Sequence, residues 1–337
     1  MKVLSILATA VLACPLVWAD IVPLNVNVNA TFEKSELVCK GLVTSTNVVA
    51  EQRVTDFRGR PISRKRVRAT VEIQDYYKNQ TNSHQTITIE FEQDAPITSA
   101  QPSIWNGETA LLFLKSAEGG IYKFADRFLG ATSFTRLPNV SDGPGRGKLA
   151  TALVSVALAP DLNDAKNALQ LLEGFDRLEG RLLARLSPRS HSRDPEIAFS
   201  TLAILVKSSV PGSVEQLQRY LDGYAGSDSI PIQKVGVELG KIRDGSQLNA
   251  IEALTRAKFV SIRYGAMDAI RGIRAPQSTQ TLIDRLDDSD NMVRYVALIT
   301  LAEIYGKYGE YAPSMQLFNK NPDYYVGLWK KWRSENK

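Results

Sequence analysis

The sequence predicts an α+β, multidomain chain: a small N-terminal β-barrel followed by an all-α solenoid. Three observations predict it. Apolar residues alternate with period 2 up to about residue 137, and from Leu149 onward they recur with the 3.6 period of helices. Between these regions lies PNVSDGPGRG, residues 138–147, whose prolines and glycines stop regular structure and mark a linker. The helical half also repeats itself at a period of about 31 residues, the signature of units that stack. Val293, Ala297, Leu301 and Ile304 fall on Ile262, Ala266, Ile270 and Ile273, and Val235, Leu239 and Ile242 take the last three places once more. The expected division is 1–19 leader, 20–137 barrel, 138–148 linker and 149–337 repeats. At 337 residues, 44% hydrophobic and 23% charged, the chain has ordinary globular composition and enough length for two cores. A net charge of +5 allows attraction to an anionic surface without demanding it.

The first stretch, MKVLSILATAVLACPLVWAD, has Lys2 ahead of an apolar run and the small-residue site Val17-Trp18-Ala19. It reads as a secretory signal cut after Ala19, which places the mature chain in the periplasm or outside the cell. Val11-Leu12-Ala13-Cys14 also resembles a lipobox, so a lipoprotein anchored at Cys14 is the alternative. After cleavage only Cys39 remains, so no internal disulfide forms. Its place in Leu37-Val38-Cys39 reads as a buried, inert thiol.

In the first domain Leu37–Val49, Arg66–Ile73 and Thr86–Glu92 alternate as half-buried strands. Leu111–Leu114 is a continuous apolar run of the kind a central strand shows, and Gly119-Gly120 turns the chain into Ile121–Phe124. The stretches ELVCKGLVTS, RVRATVEIQDYYKN and NGETALLFLKSAEGGIYKF resemble a bacterial netrin-like (tissue-inhibitor-type, OB-like) barrel over about 100 residues. In the inhibitor branch of that family a disulfide-bonded N-terminal cysteine meets the target's zinc. Here the mature chain starts at Asp20 and has no disulfide, so that role carries over to no residue. A basic patch of Arg53, Arg58, Arg60, Arg64, Lys65, Arg66 and Arg68 precedes and enters the second strand, offset nearby only by Glu51, Asp56 and Glu72. It is a candidate site for a phosphate, a sulfated or uronic polymer, or the anionic headgroups of a membrane surface. The plainer reading is a solvated loop and strand face that discourages edge pairing. It lacks the interleaved aromatics of a single-strand nucleic-acid groove, and nucleic acid is not an expected partner. Asn29, Asn79 and Asn139 begin glycosylation sequons at near-chance frequency.

In the second domain the period predicts helices over Leu149–Val156, Leu162–Leu172 and Phe175–Leu186, then helix pairs beginning near Ile197, Val235, Ile262 and Val293. Gly236, Gly240, Gly265, Ala266, Ala269 and Ala297 are placed where helix axes approach closely. The period and the motif DDSDNMVRYVALITLAEI resemble the HEAT-like repeats of the phycobilisome-lyase type over residues 231–305. The resemblance implies an α-solenoid and carries no lyase chemistry. Asp287, Asp288 and Asp290 lack the spacing of a calcium loop and read as helix capping. Arg263 and Arg294, at equivalent places in successive repeats, are expected to tie adjacent turns together. Arg177, Arg181 and Arg185 recur every four residues and predict a basic helical stripe, either a wet face or a site for an acidic partner. In NPDYYVGLWKKWRSENK, Trp329 and Trp332 share a face with Tyr325 and Leu328. That face reads as a cap over the last repeat or as a helix for a membrane surface or partner.

His84 and His191 stand in different domains, and no zinc spacing, nucleophile elbow, phosphate loop or dinucleotide fingerprint is present. No catalytic residue, metal or cofactor is therefore expected. The expected function is an exported, non-enzymatic adaptor that binds a protein partner through its solenoid, with the barrel as a second binding module. The alternatives are a hydrolase inhibitor acting through the barrel and an enzyme with a site outside the known motifs.

Overall fold

The computed structural model describes residues 27–56, 59–79, 86–95, 103–126, 129–141 and 145–336. The expected leader, Cys14, Arg58 and His84 lie outside the described residues. The chain opens on helix α1 (Val28–Lys34), whose first turn is capped by Asn27 accepting from the Ala30 N–H. Strands β1 (Leu37–Thr55), β2 (Pro61–Lys78), β3 (Thr86–Ala95), β4 (Thr109–Ser116), β5 (Ile121–Phe124) and β6 (Ala131–Phe134) follow.

The hydrogen-bonded order is β1-β2-β3-β5-β4-β6, and β1 also pairs with β4, so the strands from β1 to β5 close into a ring. All pairings in the ring are antiparallel except β3 with β5. A closed barrel removes the sheet edges, as the OB-like reading requires. β1 bends sharply enough to serve two neighbours because register shifts interrupt it between Lys40 and Gly41 and again between Val43 and Ser45. Gly41 is placed where a Cβ would collide with Val71 Cγ1, so the strand turns across the barrel interior only with glycine there.

β4 explains the continuous apolar run. Ala110, Leu112 and Leu114 point into the barrel core with Val43, Val71 and Ile89. Leu111 and Phe113 point outward into a second core shared with α1 and the first helices of the solenoid. Both faces are buried, so no alternation survives in the sequence.

The helices are α2 (Arg146–Ala157), α3 (Leu162–Glu173), α4 (Gly180–Leu186), α5 (Pro195–Lys207), α6 (Ser213–Gly223), α7 (Ile230–Leu239), α8 (Leu248–Leu254), α9 (Val260–Ile273), α10 (Thr279–Arg285), α11 (Asn291–Tyr305), α12 (Met315–Lys320) and α13 (Pro322–Glu335). Helices α3, α5, α7, α9 and α11 pack side by side in succession, while α2, α6, α8 and α10 each pack on a member of that row. No described helix is long and apolar enough to cross a membrane.

The segment read as a linker is packed at both ends. Leu137 lies in the shared core, Val140 packs against it, and the Gly145 N–H donates to the Tyr77 carbonyl at 2.7 Å. Lys148, buried at the start of α2, donates to Asp75 Oδ1 at 2.5 Å and to the Tyr76 carbonyl at 3.0 Å. Barrel and solenoid therefore meet through a common interior.

Row helices approach most closely where α7 and α9 cross. A Cβ on Gly236 would collide with the Ser261 carbonyl, and one on Gly265 with the Gly236 carbonyl. The expected ties between turns are also present. The buried Arg263 guanidinium donates from Nε and Nη2 to Asp288 at 2.9 and 2.8 Å, and Arg294 reaches Asp323 Oδ1 at 2.9 Å. Asp290 caps α11 by accepting from the Met292 and Val293 N–H groups. Asp287 pairs with Lys330 of α13, so each acid of the turn has a structural partner.

Two outcomes follow from this packing. Gly265→Ala, which on an exposed helix would stabilise by about 1 kcal/mol, is expected instead to destabilise by roughly 1–3 kcal/mol through overpacking, read as a lower midpoint in urea unfolding at unchanged m-value. Cys39 is fully buried and its thiol is pushed up to about 12 by that burial. It is expected to resist a thiol-labelling reagent at pH 8 in the native chain and to react promptly in denaturant. Prompt native labelling would contradict the interior placement.

Candidate binding surface

The row helices α3 to α11 bury apolar stripes against their neighbours, and what remains is a narrow outward strip on each. On α7 that strip carries Lys234 and Glu238, with Lys241 in the turn just past its end. On α9 it carries Tyr264, Asp268 and Arg271, and on α11 Tyr295, Ile299 and Glu303. Spacings of three and four residues put each set on one helix face. Contacts link α3 to α7 and α9 to α11 along this ledge, and Asp268 of α9 lies against Gly240, just past the end of α7. Lys234 Nζ of α7 reaches Glu173 Oε2 of α3 at 3.0 Å, across the intervening α5. Lys207 at the end of α5 donates to the Glu173 carbonyl at 2.7 Å. Arg271 of α9 grips Glu303 of α11 with Nε and Nη2, at 3.0 and 2.5 Å from Oε1.

The ledge is half-buried, and that sets its electrostatics. Burial raises the Glu173 carboxyl above the usual carboxylate range, with Lys234 and the Ser200 hydroxyl opposing the effect and the neighbouring Glu238 adding to it. Burial also raises Asp268 against the pull of Arg243 and Arg271, and it lowers the Lys207 ammonium. Glu238 accepts from Lys241 at 2.7 Å through Oε1. Glu238 Oε2 and Glu173 Oε1 are both buried from solvent with no hydrogen-bond partner. Each carboxylate of this cluster thus holds one buried oxygen that is short of a donor by one bond. Among the described residues no group of three or more His, Cys, Asp or Glu side chains could hold a metal ion.

The candidates named from sequence fall elsewhere. Arg60, Arg64, Lys65 and Arg66 lie at the outer end of the β1–β2 hairpin, where the patch meets β3 side by side. Arg64 pairs with Asp94 at 2.6 Å, Arg66 with Glu90 at 3.8 Å and Arg68 with Glu90 at 2.9 Å, while Arg60 pairs with Asp56 at 2.7 Å. The patch is largely neutralised by a strand some 20–30 residues away, which proximity along the chain does not reveal. Arg64 and Arg66 line a shallow recess with Gln52 and Glu92.

The expected basic stripe is not formed. α4 begins only at Gly180, so Arg177 precedes the helix, and Arg181 and Arg185 are engaged with Glu179 and with Ser155 Oγ. Trp329 is fully buried and Trp332 nearly so, in the same core as Phe318 and Val326. Trp329 Nε1 donates to the Tyr311 carbonyl at 3.0 Å. These rings cap the last repeat and present no face to a membrane or partner, because the core of that repeat has no other cover. The ledge itself escaped sequence reading. Its residues carry no motif, and only the repeat register, applied to polar in place of apolar positions, could have aligned Tyr264 with Tyr295.

Comparisons with known proteins add similarity without an assignment. No family model matches the chain, and no curated protein matches it. Among solved structures it is similar to a designed armadillo repeat protein in complex with the peptide (KR)4, at TM-score 0.35 and 14% identity over 47% of this chain and 82% of that one. It is similar also to an engineered protein at TM-score 0.35 and 16% identity, over 54% of this chain and 93% of that one. A second designed armadillo repeat protein matches at TM-score 0.34 and 15% identity, over 47% and 82% of the two chains.

Proposed function

We propose that the chain is an exported, non-enzymatic adaptor that holds a segment of another protein along the ledge formed by α3, α7, α9 and α11. The supporting observation is the pair of buried acceptors without donors, Glu173 Oε1 and Glu238 Oε2, set in a strip of half-buried charge and tyrosine. An unpaired buried acceptor costs about 1–3 kcal/mol, and an arriving donor recovers it. A lysine or arginine side chain, or the backbone N–H groups of an extended segment, supplies such donors. Tyr264 and Tyr295 offer flat apolar contact beside them. The export in this proposal is supported by reading residues 1–19 as a secretory signal cut after Ala19. In the alternative reading the barrel inhibits a hydrolase, but Cys39 is interior and offers no thiol to a target's zinc.

The test is titration of the full chain with labelled lysine- or arginine-containing peptides and with acidic peptides of equal length. Basic peptides are expected to bind, and Glu238→Gln is expected to weaken them about tenfold, the loss of one charge-assisted bond. Acidic peptides binding as well as basic ones, or Glu238→Gln leaving affinity unchanged, would remove the ledge from the interaction. Affinity is also expected to depend on pH in a known direction. The Glu173 carboxyl is raised by burial, so it takes up its proton at a higher pH than an exposed glutamate. Cationic peptides should therefore weaken as pH falls, above the range in which ordinary surface carboxylates titrate.

A further inference from the structure

The barrel closes around β1 only as far as Val43. Leu37 to Leu42 pair with β4, and Val43 exchanges backbone bonds with Gly107 and Glu108. Beyond that point β1 runs on beside β2, and among the described residues no strand pairs with its other side as far as Thr55. Val48, Val49, Glu51, Gln52, Arg53 and Thr55 are exposed along this edge. The basic residues that would discourage edge pairing stand one strand further in. Arg64 and Arg66 belong to β2, which is paired on both sides, and Asp94 and Glu90 of β3 engage them.

The hairpin fixes which backbone groups the edge offers. The Asp56 N–H donates to the Arg60 carbonyl at 2.8 Å, so Asp56 and Arg60 form a bonded pair. Bonded and non-bonded pairs alternate along an antiparallel ladder. Counted back from Asp56, the pairs Val54–Ile62, Gln52–Arg64 and Ala50–Arg66 are those that bond across to β2. Thr55 stands opposite Pro61, which has no N–H to give, in agreement with that alternation. The N–H and C=O groups of Glu51, Arg53 and Thr55 therefore point away from β2. The last shift of register in β1 lies between Val48 and Ala50, so this edge is regular from Ala50 to Thr55.

The same segment of a second copy fits this edge in one register. An antiparallel pair of identical strands has a two-fold axis, and the axis decides which charges meet. Centred on Gln52, it sets Glu51 opposite Arg53 of the other copy, twice, and Ala50 opposite Val54. Moved one residue either way, it sets Glu51 against Glu51 or Arg53 against Arg53, and like charges directly opposite are destabilising. Glu51 and Arg53 are also the residues whose backbone groups point outward, so the register that matches charge is one that makes hydrogen bonds. Within its own hairpin Glu51 accepts from the Ser63 hydroxyl, through Oε1. We propose that the chain forms a two-fold dimer through this edge, with Gln52 of each copy on the axis, Glu51 and Arg53 bonded to their counterparts by backbone and side chain, and the two sheets joined into one. The site is independent of the ledge.

Sedimentation of the full chain over a dilution series at low ionic strength tests it. The paired stretch is short, so a dimer is expected at about 100 µM that dissociates on dilution. Glu51→Lys and Arg53→Glu each set like charges opposite one another, and each is expected to raise the dissociation constant about tenfold or more. An equal mixture of these two variants restores opposite pairs and is expected to restore the dimer, as is the double exchange of Glu51→Arg with Arg53→Glu in one chain. Gln52→Cys, at the position that meets itself, is expected to give a disulfide-linked dimer on mild oxidation, since Cys39 is buried and does not compete. A chain that stays monomeric at about 300 µM would overturn the assignment and leave the edge to an extended strand of another protein. So would a dimer indifferent to both single exchanges, or one that the double exchange fails to restore.

Discussion

The double burial of β4 is the constraint on which the rest of the architecture depends. A strand with one wet face would end the barrel as a separate body. Here Leu111 and Phe113 carry the barrel's outer surface into the same interior as Leu149, Leu153 and Leu169 of the first two solenoid helices. The first repeat needs cover on its open end, because a terminal repeat has an apolar side with no successor. The barrel supplies that cover at one end, as Phe318, Trp329 and Trp332 do at the other. Lys148 is the polar counterpart of this joint. A buried ammonium is costly unless paired, and Asp75 and the Tyr76 carbonyl, both on β2, hold it from the barrel side. The joint therefore couples the two cores through specific bonds as well as through apolar contact.

Within the solenoid the same logic operates between repeats. Apolar stacking alone leaves helices free to slide, and the Gly236–Gly265 crossing and the Arg263–Asp288 pair remove that freedom. The crossing admits only one separation, because backbone meets backbone. The buried pair admits only one register, because a guanidinium shifted by a turn would be left without acceptors. A row of helices locked in this way keeps polar side chains from successive repeats at constant spacing. That is what allows Glu173, Lys234, Arg271 and Glu303 to be one surface.

Much of the fold was legible in the sequence because burial on one face leaves a period. β1 to β3, the row helices and their close-approach glycines are all read from alternation, from the 3.6 period or from the repeat near 31. What escaped has no period to leave. α1 is too short, and β6 is a four-residue strand that pairs with β4. The basic patch was visible but its neutralisation was not, since Glu90, Glu92 and Asp94 face Arg68, Arg66 and Arg64 only after β2 and β3 pair. The tryptophans illustrate the opposite case. Trp329 and Trp332 share a face with lysines nearby, a pattern that fits a membrane helix and a capping helix equally, and only the unfilled end of the last repeat decides between them. Arg177 was placed on a helix that starts three residues later, at Gly180, so its apparent companions Arg181 and Arg185 point to other work.

These cases share a physical rule about which charges are free to act. Count and spacing along the chain say little, since the densest run of arginines, at the start of β2, is also the best compensated. What matters is how many of a group's hydrogen-bonding directions the fold leaves empty. Glu303 accepts from two nitrogens of Arg271 and is closed, whereas Glu173 spends one oxygen on Lys234 and keeps the other open. Arg64 is likewise fixed by Asp94. An empty direction that is also shielded from water is the costly kind, and a fold keeps such a cost where a ligand removes it. By that rule the ledge is one place where two such oxygens fall in a single cluster. It does not lie among the most highly charged segments, and it is held in shape by apolar stacking together with the buried ion pairs between repeats.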